Sequence, residues 1–275
     1  MLRIWAFTET LFGIIEMGHE AKKRFGQNFL VDQNIIADII RAIRPEPDDN
    51  MVEIGPGLGA LTRPLLKQLN KLHVVEIDRD IIARLKTDYP QDKIVIHEGD
   101  ALKFDFATLG IPLRIVGNLP YNISSPLLFH FADYAARITD MHFMLQNEVV
   151  ERMVAEPSTP EYGRLSVMLQ YRFYMEKLID VPPQSFRPAP KVDSAIVRMI
   201  PIPADQIAVK NEILYAQIVS AAFGQRRKTL RNTLKVHLTE SEFAQLGIDA
   251  QLRAENLGVA EFTRISNYLN GRAAA

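Results

Sequence analysis

The sequence predicts an α/β fold with a largely parallel sheet, followed by a smaller, all-helical C-terminal domain. From residue 51 onward, short apolar segments alternate with segments of helical periodicity. This alternation is typical of βαβ units, in which helices cover both faces of a parallel sheet. After the Pro201–Pro203 break, the pattern is mostly helical as far as Leu269. The 275 residues are enough for one large and one small domain.

Five strands are predicted in the first half of the chain, where short apolar runs end at glycine, proline or polar residues. They are MVEIG (51–55), LHVVEID (72–78), KIVIHEGD (93–100), PLRIVGNLP (112–120) and MHFMLQ (141–146). The helices between them are predicted in ALTRPLLKQL (60–69), in RDIIARLKTDY (79–89), around residues 125–136 and from Asn147 onward. Pro64 is expected in the first turn of its helix, where no N–H is needed.

Residues 165–200 are richer in β-forming residues and predict added antiparallel strands. The predicted strands are LSVMLQYRFY and SAIVRMI, interrupted by the proline-rich loop VPPQSFRPAPKV. The chain is therefore divided into an N-terminal extension (1–18), an α/β domain (19–203) and a helical domain (204–275). Residues 1–16 are expected to be dispensable. They do not predict a signal peptide, because two glutamates interrupt the apolar run and no small-residue cleavage site follows.

Composition excludes several classes of site. The chain has no Cys, which excludes a disulfide scaffold, a Cys-ligated zinc site, an iron–sulfur cluster and a thiol nucleophile, and which fits a reducing cytoplasm. No run approaches the length of about 20 apolar residues that spans a membrane. The six His lack metal-binding spacing, so no metal is predicted. With a net charge of −1, any nucleic-acid partner would have to bind at local basic patches.

A glycine-rich segment follows the first predicted strand and opens the next helix. Gly55, Gly57 and Gly59 are spaced G-x-G-x-G, which allows a ligand to approach the backbone closely. Glu76 ends the second strand, where a carboxylate can accept both ribose hydroxyls, and Asp100 ends the third, where it can reach an adenine amino group. The spacing differs from the dinucleotide G-x-G-x-x-G and the Walker lysine is absent. Together these residues predict S-adenosylmethionine as the cofactor, whereas the glycines alone would fit a tight turn equally well.

Asn118-Leu119-Pro120-Tyr121 ends the fourth predicted strand, at the edge where open α/β sheets bind ligands. Adenine N6 is a poor nucleophile because its lone pair is delocalised into the ring. We expect the Asn118 side chain and a backbone carbonyl beside Pro120 to hold the amino hydrogens and aim the lone pair at a methyl sulfonium. Tyr121 offers a face for base stacking, worth about 1–3 kcal/mol. In isolation, the segment would more often be a turn with a core tyrosine.

Phe186 lies in the proline-rich segment QSFRPAP (184–190). Prolines stiffen this segment, which would allow the aromatic ring to be presented rather than buried. A flipped target base would then fit between Tyr121 and Phe186. The alternative, that Phe186 is a packing aromatic in a loop, is equally compatible with the sequence.

Two basic segments predict contacts with nucleic acid. Residues 213–239 contain no acidic residue, and their basic residues cluster on a predicted helix after Gly224, which favours a phosphate-binding patch over a solvated helix face. A smaller cluster precedes the first helix of the α/β domain and is expected to contact RNA through its lysines and the cofactor through Gln27 and Asn28. The basic residues are Arg226, Arg227, Lys228, Arg231 and Lys235 in the first segment and Lys22, Lys23 and Arg24 in the second.

Taken together, these segments resemble the KsgA-type (RsmA) family of ribosomal RNA small-subunit adenine dimethyltransferases. The resemblance covers nearly everything after residue 20, with the segments in family order. The matching segments are KRFGQNFLVD (23–32), VEIGPGLGALT (52–62), VVEIDRD (74–80), GNLPYNISSPLL (117–128), YGRLSVMLQY (162–171), FRPAPKVDSAIV (186–197) and AFGQRRKTLRNTL (222–234).

The resemblance implies a Rossmann-like S-adenosylmethionine-dependent methyltransferase domain with a small helical C-terminal domain. It implies dimethylation of N6 on two adjacent adenines near the 3′ end of 16S ribosomal RNA, on a pre-assembled small subunit late in ribosome biogenesis. It also implies a cytoplasmic, monomeric enzyme. The family's cofactor positions correspond to Asn28, Leu30, Gly55, Glu76, Asp100 and Asn118. Its target-base positions correspond to Asn118, Leu119, Pro120, Tyr121 and Phe186.

Three alternatives compete with this interpretation. The large-subunit dimethyltransferases of macrolide resistance share the catalytic core, but FRPAPKVDSAIV and AFGQRRKTLRNTL resemble the small-subunit family more closely. A DNA adenine methyltransferase is a weaker enzyme alternative. The third is a binding or assembly factor in which methylation is secondary. The presence of Gly55, Glu76, Asp100 and Asn118 argues against it, because this set favours retained catalysis.

Overall fold

The computed structural model describes residues 28–274. The predicted extension (1–18), the basic cluster Lys22, Lys23 and Arg24, and Gln27 all lie outside the described residues.

The described residues form nine β-strands and ten α-helices, joined by turns and short 3-10 helices. The strands are β1 (Phe29–Leu30), β2 (Met51–Ile54), β3 (Leu72–Glu76), β4 (Ile94–Glu98), β5 (Leu113–Asn118), β6 (Ile138–Gln146), β7 (Phe173–Val181), β8 (Phe186–Arg187) and β9 (Ser194–Pro201). The helices are α1 (Gln33–Ile43), α2 (Thr62–Leu65), α3 (Arg79–Asp88), α4 (Ser124–Ala132), α5 (Asn147–Val154), α6 (Arg164–Gln170), α7 (Glu212–Phe223), α8 (Leu230–Thr233), α9 (Glu240–Gln245) and α10 (Val259–Ala274).

Seven strands form one mixed sheet in the order β4-β3-β2-β5-β6-β9-β7. The first five are parallel, whereas β9 runs antiparallel to both β6 and β7. This confirms the predicted α/β class and the Rossmann-like fold with a helical C-terminal region. Since Ile54 on β2 lies opposite both Val75 and Gly117, the parallel strands end at a common edge.

Each face of the sheet has its own apolar core. Helix α1 covers one face with Ile36, Ile39, Ile40 and Ile43, which recur at the spacing of a single helical stripe. The Asp32 side chain caps this helix by accepting the backbone N–H groups of residues 34 and 35. The opposite face packs a separate cluster of buried side chains, which includes several aromatic rings.

The segment LSVMLQ is a helix, α6, and the predicted strand there is wrong. Residues 165–169 are all buried, because the helix lies against α5, α7 and β7. A continuous apolar run of this length fits a buried strand and a buried helix equally, so periodicity could not separate them. The Ser166 hydroxyl accepts the backbone N–H of Gly163 and so caps the first turn of the helix.

A third core lies in the helical region and extends across the predicted domain boundary. Tyr215, Ile218 and Phe262 pack there with Val167 and Met168 of α6. The region after Pro203 is helical as expected. The domain boundary at residue 203 remains a prediction, because α6 packs both against the sheet and in the helical core.

Two smaller differences concern the predicted helices. The helix expected over residues 60–69 is limited to α2, with Pro64 in its first turn as predicted. The helix expected at 125–136 is α4, followed by a separate 3-10 turn at Ala135–Arg137. None of the helices described is both long and apolar enough to cross a bilayer.

Candidate active site at the carboxyl edge of the sheet

A cavity of about 250 Å³ opens at the carboxyl ends of β2, β3, β4 and β5. Four consecutive strands of the parallel sheet therefore contribute to a single site. The sequence-predicted residues that line it are Asn28, Leu30, Gly55, Gly57, Glu76, Asp100, Asn118, Leu119, Pro120 and Tyr121.

The glycine loop forms one wall of the cavity from backbone atoms. Gly55 and Gly57 have φ angles of +64° and +54°, a region that L side chains rarely adopt. A Cβ atom on Gly57 would lie 3.2 Å from the ring of Phe29. The loop thus needs glycine for both its backbone conformation and its close packing, and it leaves space where a side chain would otherwise stand.

Glu76 is held in the wall of the cavity by the chain that follows it. Its Oε1 accepts the backbone N–H groups of Ile77 and Asp78, each at 2.8 Å. Burial raises the pKa of this carboxyl, and the two backbone hydrogen bonds oppose the rise. The carboxylate is therefore fixed before any ligand binds.

Asp100 combines a local structural role with its place in the cavity. Its Oδ1 accepts the backbone N–H of Leu102 at 3.0 Å, which stabilises the turn after β4. The same side chain lines the cavity. The side chain therefore stabilises this turn through Oδ1 and also belongs to the cavity wall.

The segment from Asn118 to Tyr121 forms a further wall of the cavity, next to the glycine loop. The Asn118 Nδ2 donates a hydrogen bond of 3.1 Å to the carbonyl oxygen of Asn28, which fixes the orientation of the amide and leaves Oδ1 as its acceptor atom. Tyr121 is half-buried, and its hydroxyl shares a hydrogen bond of 2.6 Å with that of Ser194. Burial raises the pKa of this tyrosine, so it stays neutral near pH 7. Sequence reasoning did not single out Ser194.

Phe186 is fully buried, and the expectation that its loop presents the ring is wrong for this structure. Strand β8 pairs with β1, with Phe186 opposite Leu30. Because side chains alternate along a strand, this pairing turns Phe186 into the core while Arg187 stays exposed. The ring packs with Leu30, Val181 and Ile196 behind the cavity wall rather than facing the cavity.

Glu53 is a cavity residue that sequence reasoning missed. Its side chain is only 2 % exposed, and its Oε2 accepts a hydrogen bond of 2.6 Å from the Thr62 hydroxyl. Burial, reinforced by the nearby charge of Glu76, raises the pKa of Glu53 to about 7. The available signal was an acidic residue inside a strand whose other residues are apolar.

The C-terminal basic residues lie on a turn, and the helix predicted directly after Gly224 is wrong. Arg226, Arg227 and Lys228 are exposed in the connection between α7 and α8, and Arg231 is on α8. Arg231 pairs with Glu240 at 2.7 Å. None of these four residues lines the cavity. Between residues 28 and 274 the structure groups no three His, Asp or Glu side chains that could hold a metal ion.

Comparisons with known proteins agree on one family. The model of the ribosomal RNA adenine dimethylase family matches residues 18–271. Two similar proteins, each called ribosomal RNA small subunit methyltransferase A, come from Aromatoleum aromaticum and Chromobacterium violaceum. The first is 66% identical over 255 residues, covering 93% of this chain and 96% of the relative. The second is 62% identical over 257 residues, covering 93% of this chain and 98% of the relative.

Two solved structures of methyltransferases are also similar to this chain. A dimethyladenosine transferase from Plasmodium falciparum superposes with a TM-score of 0.77 at 26% identity, covering 89% of this chain and 98% of that one. The 23S rRNA methyltransferase ErmE superposes with a TM-score of 0.69 at 25% identity, covering 88% of this chain and 100% of that one.

Proposed function

Because the chain belongs to the ribosomal RNA adenine dimethylase family, we propose that it dimethylates N6 of two adjacent adenines near the 3′ end of 16S ribosomal RNA. The methyl donor is S-adenosylmethionine and the product is N6,N6-dimethyladenosine. The observation that carries the proposal is that Asn118 and Tyr121 line the same cavity as Gly55, Glu76 and Asp100. A nucleoside-binding wall and an amine-binding wall thus share one space.

The residues present fit S-adenosylmethionine, which when bound supplies an electrophilic methyl group on sulfur. The glycine loop leaves space beside Gly55, and the fixed carboxylate of Glu76 suits ribose hydroxyls. Asp100 provides an acceptor for the adenine amino group. Asn28, Leu30 and Asn118 complete the proposed cofactor set, with Gln27 as a further member outside the described residues.

Asn118 activates the target amine by hydrogen bonding rather than by acting as a base. With its Nδ2 engaged by the carbonyl of Asn28, its Oδ1 accepts one amino hydrogen, and a backbone carbonyl beside Pro120 accepts the other. These two acceptors draw N6 toward tetrahedral geometry and free its lone pair. For each methyl group that N6 would gain from the bound cofactor, it would release one proton to water. Positioning and electrostatics carry the rate.

Tyr121 supplies the stacking surface for the target base. A ring face in the cavity wall contributes about 1–3 kcal/mol of stacking free energy. Leu119 is buried, and its N–H donates to the Met144 carbonyl, which fixes the chain just after β5. Phe186 acts from behind the wall by packing against Leu30, and we do not assign it a stacking face.

Ribosomal RNA is bound outside the cavity by basic residues. The exposed turn containing Arg226, Arg227 and Lys228 suits backbone phosphates, and the adjacent Arg231 extends it. Lys22, Lys23 and Arg24 belong to the same proposal, although they lie outside the described residues. Binding through these groups would weaken steeply with salt.

The substrate proposed is the small ribosomal subunit during late biogenesis, acted on in the cytoplasm by a monomer. The names of the relatives that are 60–66% identical support the small subunit. The similarity to a 23S rRNA methyltransferase favours the large subunit as a second candidate, but at only 25% identity.

The deciding test is methyl transfer from labelled S-adenosylmethionine to unmethylated small subunits, large subunits and naked RNA, measured in parallel. The proposal expects label as dimethyladenosine in small-subunit RNA. Label in large-subunit RNA alone would assign the second candidate. Tight binding of small subunits without any label would overturn catalysis and leave a binding factor.

A further inference from the structure

Tyr121 is held by hydrogen bonds at both its backbone carbonyl and its ring hydroxyl. Its carbonyl oxygen accepts a hydrogen bond of 3.1 Å from the Ser124 hydroxyl, at the start of α4. Its hydroxyl shares the 2.6 Å hydrogen bond with Ser194. Both serines are buried. The outer end of the ring is therefore held by a residue of β9, whereas Tyr121 itself belongs to the loop after β5.

The topology explains why Ser194 is within reach. An antiparallel strand begins at the edge where its parallel neighbours end. Ser194 is the first residue of β9 and lies opposite Gln146, the last residue of β6. The single reversal in the sheet thus brings a hydroxyl to the carboxyl edge, beside the loop that follows β5.

We propose that Ser194 is a positioning residue for base recognition, because its hydroxyl fixes the outer end of the Tyr121 ring against the cavity. The inference rests on the proposed function, in which that ring stacks on the target adenine. Tyr121 belongs to the loop after β5, so without Ser194 its ring can swing about the Cα–Cβ bond. Methyl transfer depends on how accurately N6 is placed, and a displaced stacking surface displaces the base.

A purely structural role for Ser194 would be to satisfy a half-buried hydroxyl. The positioning role and the structural role predict different effects of Tyr121→Phe on kcat. This substitution keeps the ring and removes the hydroxyl. If the hydrogen bond is the means of positioning, Ser194→Ala and Tyr121→Phe remove the same interaction. Their effects on kcat then coincide instead of multiplying.

The experiment is a double-mutant cycle in the full-length protein with small subunits as substrate. Each single variant is expected to lower kcat about fivefold, as for loss of one hydrogen bond, and the double variant also about fivefold. The KM for S-adenosylmethionine stays unchanged. Ser266→Ala is the matched control, since Ser266 is equally buried and its hydroxyl has no hydrogen-bond partner among the described residues. A double variant about 25-fold slower, the product of two such single effects, or unchanged kcat in Ser194→Ala, overturns the inference.

A second measurement separates this inference from the proposed function. In protein with ¹³Cζ-labelled tyrosine, Tyr121→Phe identifies the Tyr121 resonance without any substrate. Ser194→Ala should shift that resonance and Ser266→Ala should not. No shift would show that the hydrogen bond is absent and overturn the inference, whatever the activity. Conversely, absence of methyl transfer by the wild-type protein would overturn the proposed function before any variant is compared.

Discussion

Glu53→Gln is predicted to be more stable than the wild-type protein at pH 8, by a larger margin than at pH 5. Glu53 is buried inside β2, and a carboxyl there prefers its neutral form because the charged form loses its hydration. Glutamine has nearly the same shape and can still accept the hydrogen bond from Thr62 through its carbonyl oxygen. The substitution therefore removes the ionisation and little else.

The size and sign of the effect follow from the two pKa values. The Glu53 pKa is about 7 in the folded protein and 4.5 for a free glutamate side chain. Between these pH values the folded state binds more protons than the unfolded state, so stability falls as pH rises. At about 1.4 kcal/mol per pKa unit, the loss is about 3 kcal/mol between pH 5 and pH 8. This loss of stability is complete at pH values above the pKa of Glu53 in the folded protein. It is absent at pH values below the pKa in the unfolded protein.

The assay is the free energy of unfolding from urea denaturation at pH 5, 6, 7 and 8. The difference between Glu53→Gln and wild type should grow in favour of the variant as pH rises, with most of the change below pH 7. Glu46→Gln makes the same chemical change at an exposed position and serves as the control. Parallel pH profiles for wild type and Glu53→Gln would refute the assignment of a buried, proton-binding Glu53.

Four further predictions concern the proposed site. Asn118→Ala should abolish methyl transfer while subunit binding, measured by co-sedimentation, stays nearly intact; normal methylation would contradict the mechanism. Gly57→Ala should lower the free energy of unfolding by about 1–2 kcal/mol in urea denaturation, since left-handed backbone costs an L residue that much. Phe186→Leu should lower stability by about 1 kcal/mol and keep kcat within about threefold, because the ring packs rather than stacks; a large loss of kcat at full stability would restore a stacking role. Neutralising the three basic residues of the turn between α7 and α8 should reduce the slope of log affinity against log salt concentration by about 2, measured by filter binding.

The five parallel strands and the sheet edge that carries the site could be predicted from the sequence because both depend on local patterns. Runs such as MVEIG are apolar and end at glycine, and parallel strands necessarily end at one edge. Gly55, Glu76, Asp100 and Asn118 were assigned to one site from their positions at strand ends, together with their chemistry and the family resemblance. The structure places all four in one cavity.

The errors arose where tertiary contacts decide. LSVMLQ is apolar enough for a strand or a helix, and only its burial between α5, α7 and β7 selects the helix. For Phe186 the sequence allowed either a ring presented by a stiff loop or a packed ring, and pairing of β8 with β1 turns the ring inward. Ser194 is an ordinary serine in the sequence. Its importance comes from the reversed direction of β9, which no local pattern encodes.

These same contacts make residues 186–194 a link between the two walls of the cavity. At one end, Phe186 packs against Leu30, which belongs to the proposed cofactor wall. At the other end, Ser194 holds Tyr121, which belongs to the proposed base wall. One short segment therefore contacts residues of both walls, which are also joined by the pairing of β2 with β5 and by the hydrogen bond from Asn118 to Asn28. Its prolines restrict the backbone, which lowers the entropy lost in ordering the segment. The proline-rich composition thus fits a segment that braces the site and does not require a displayed aromatic ring.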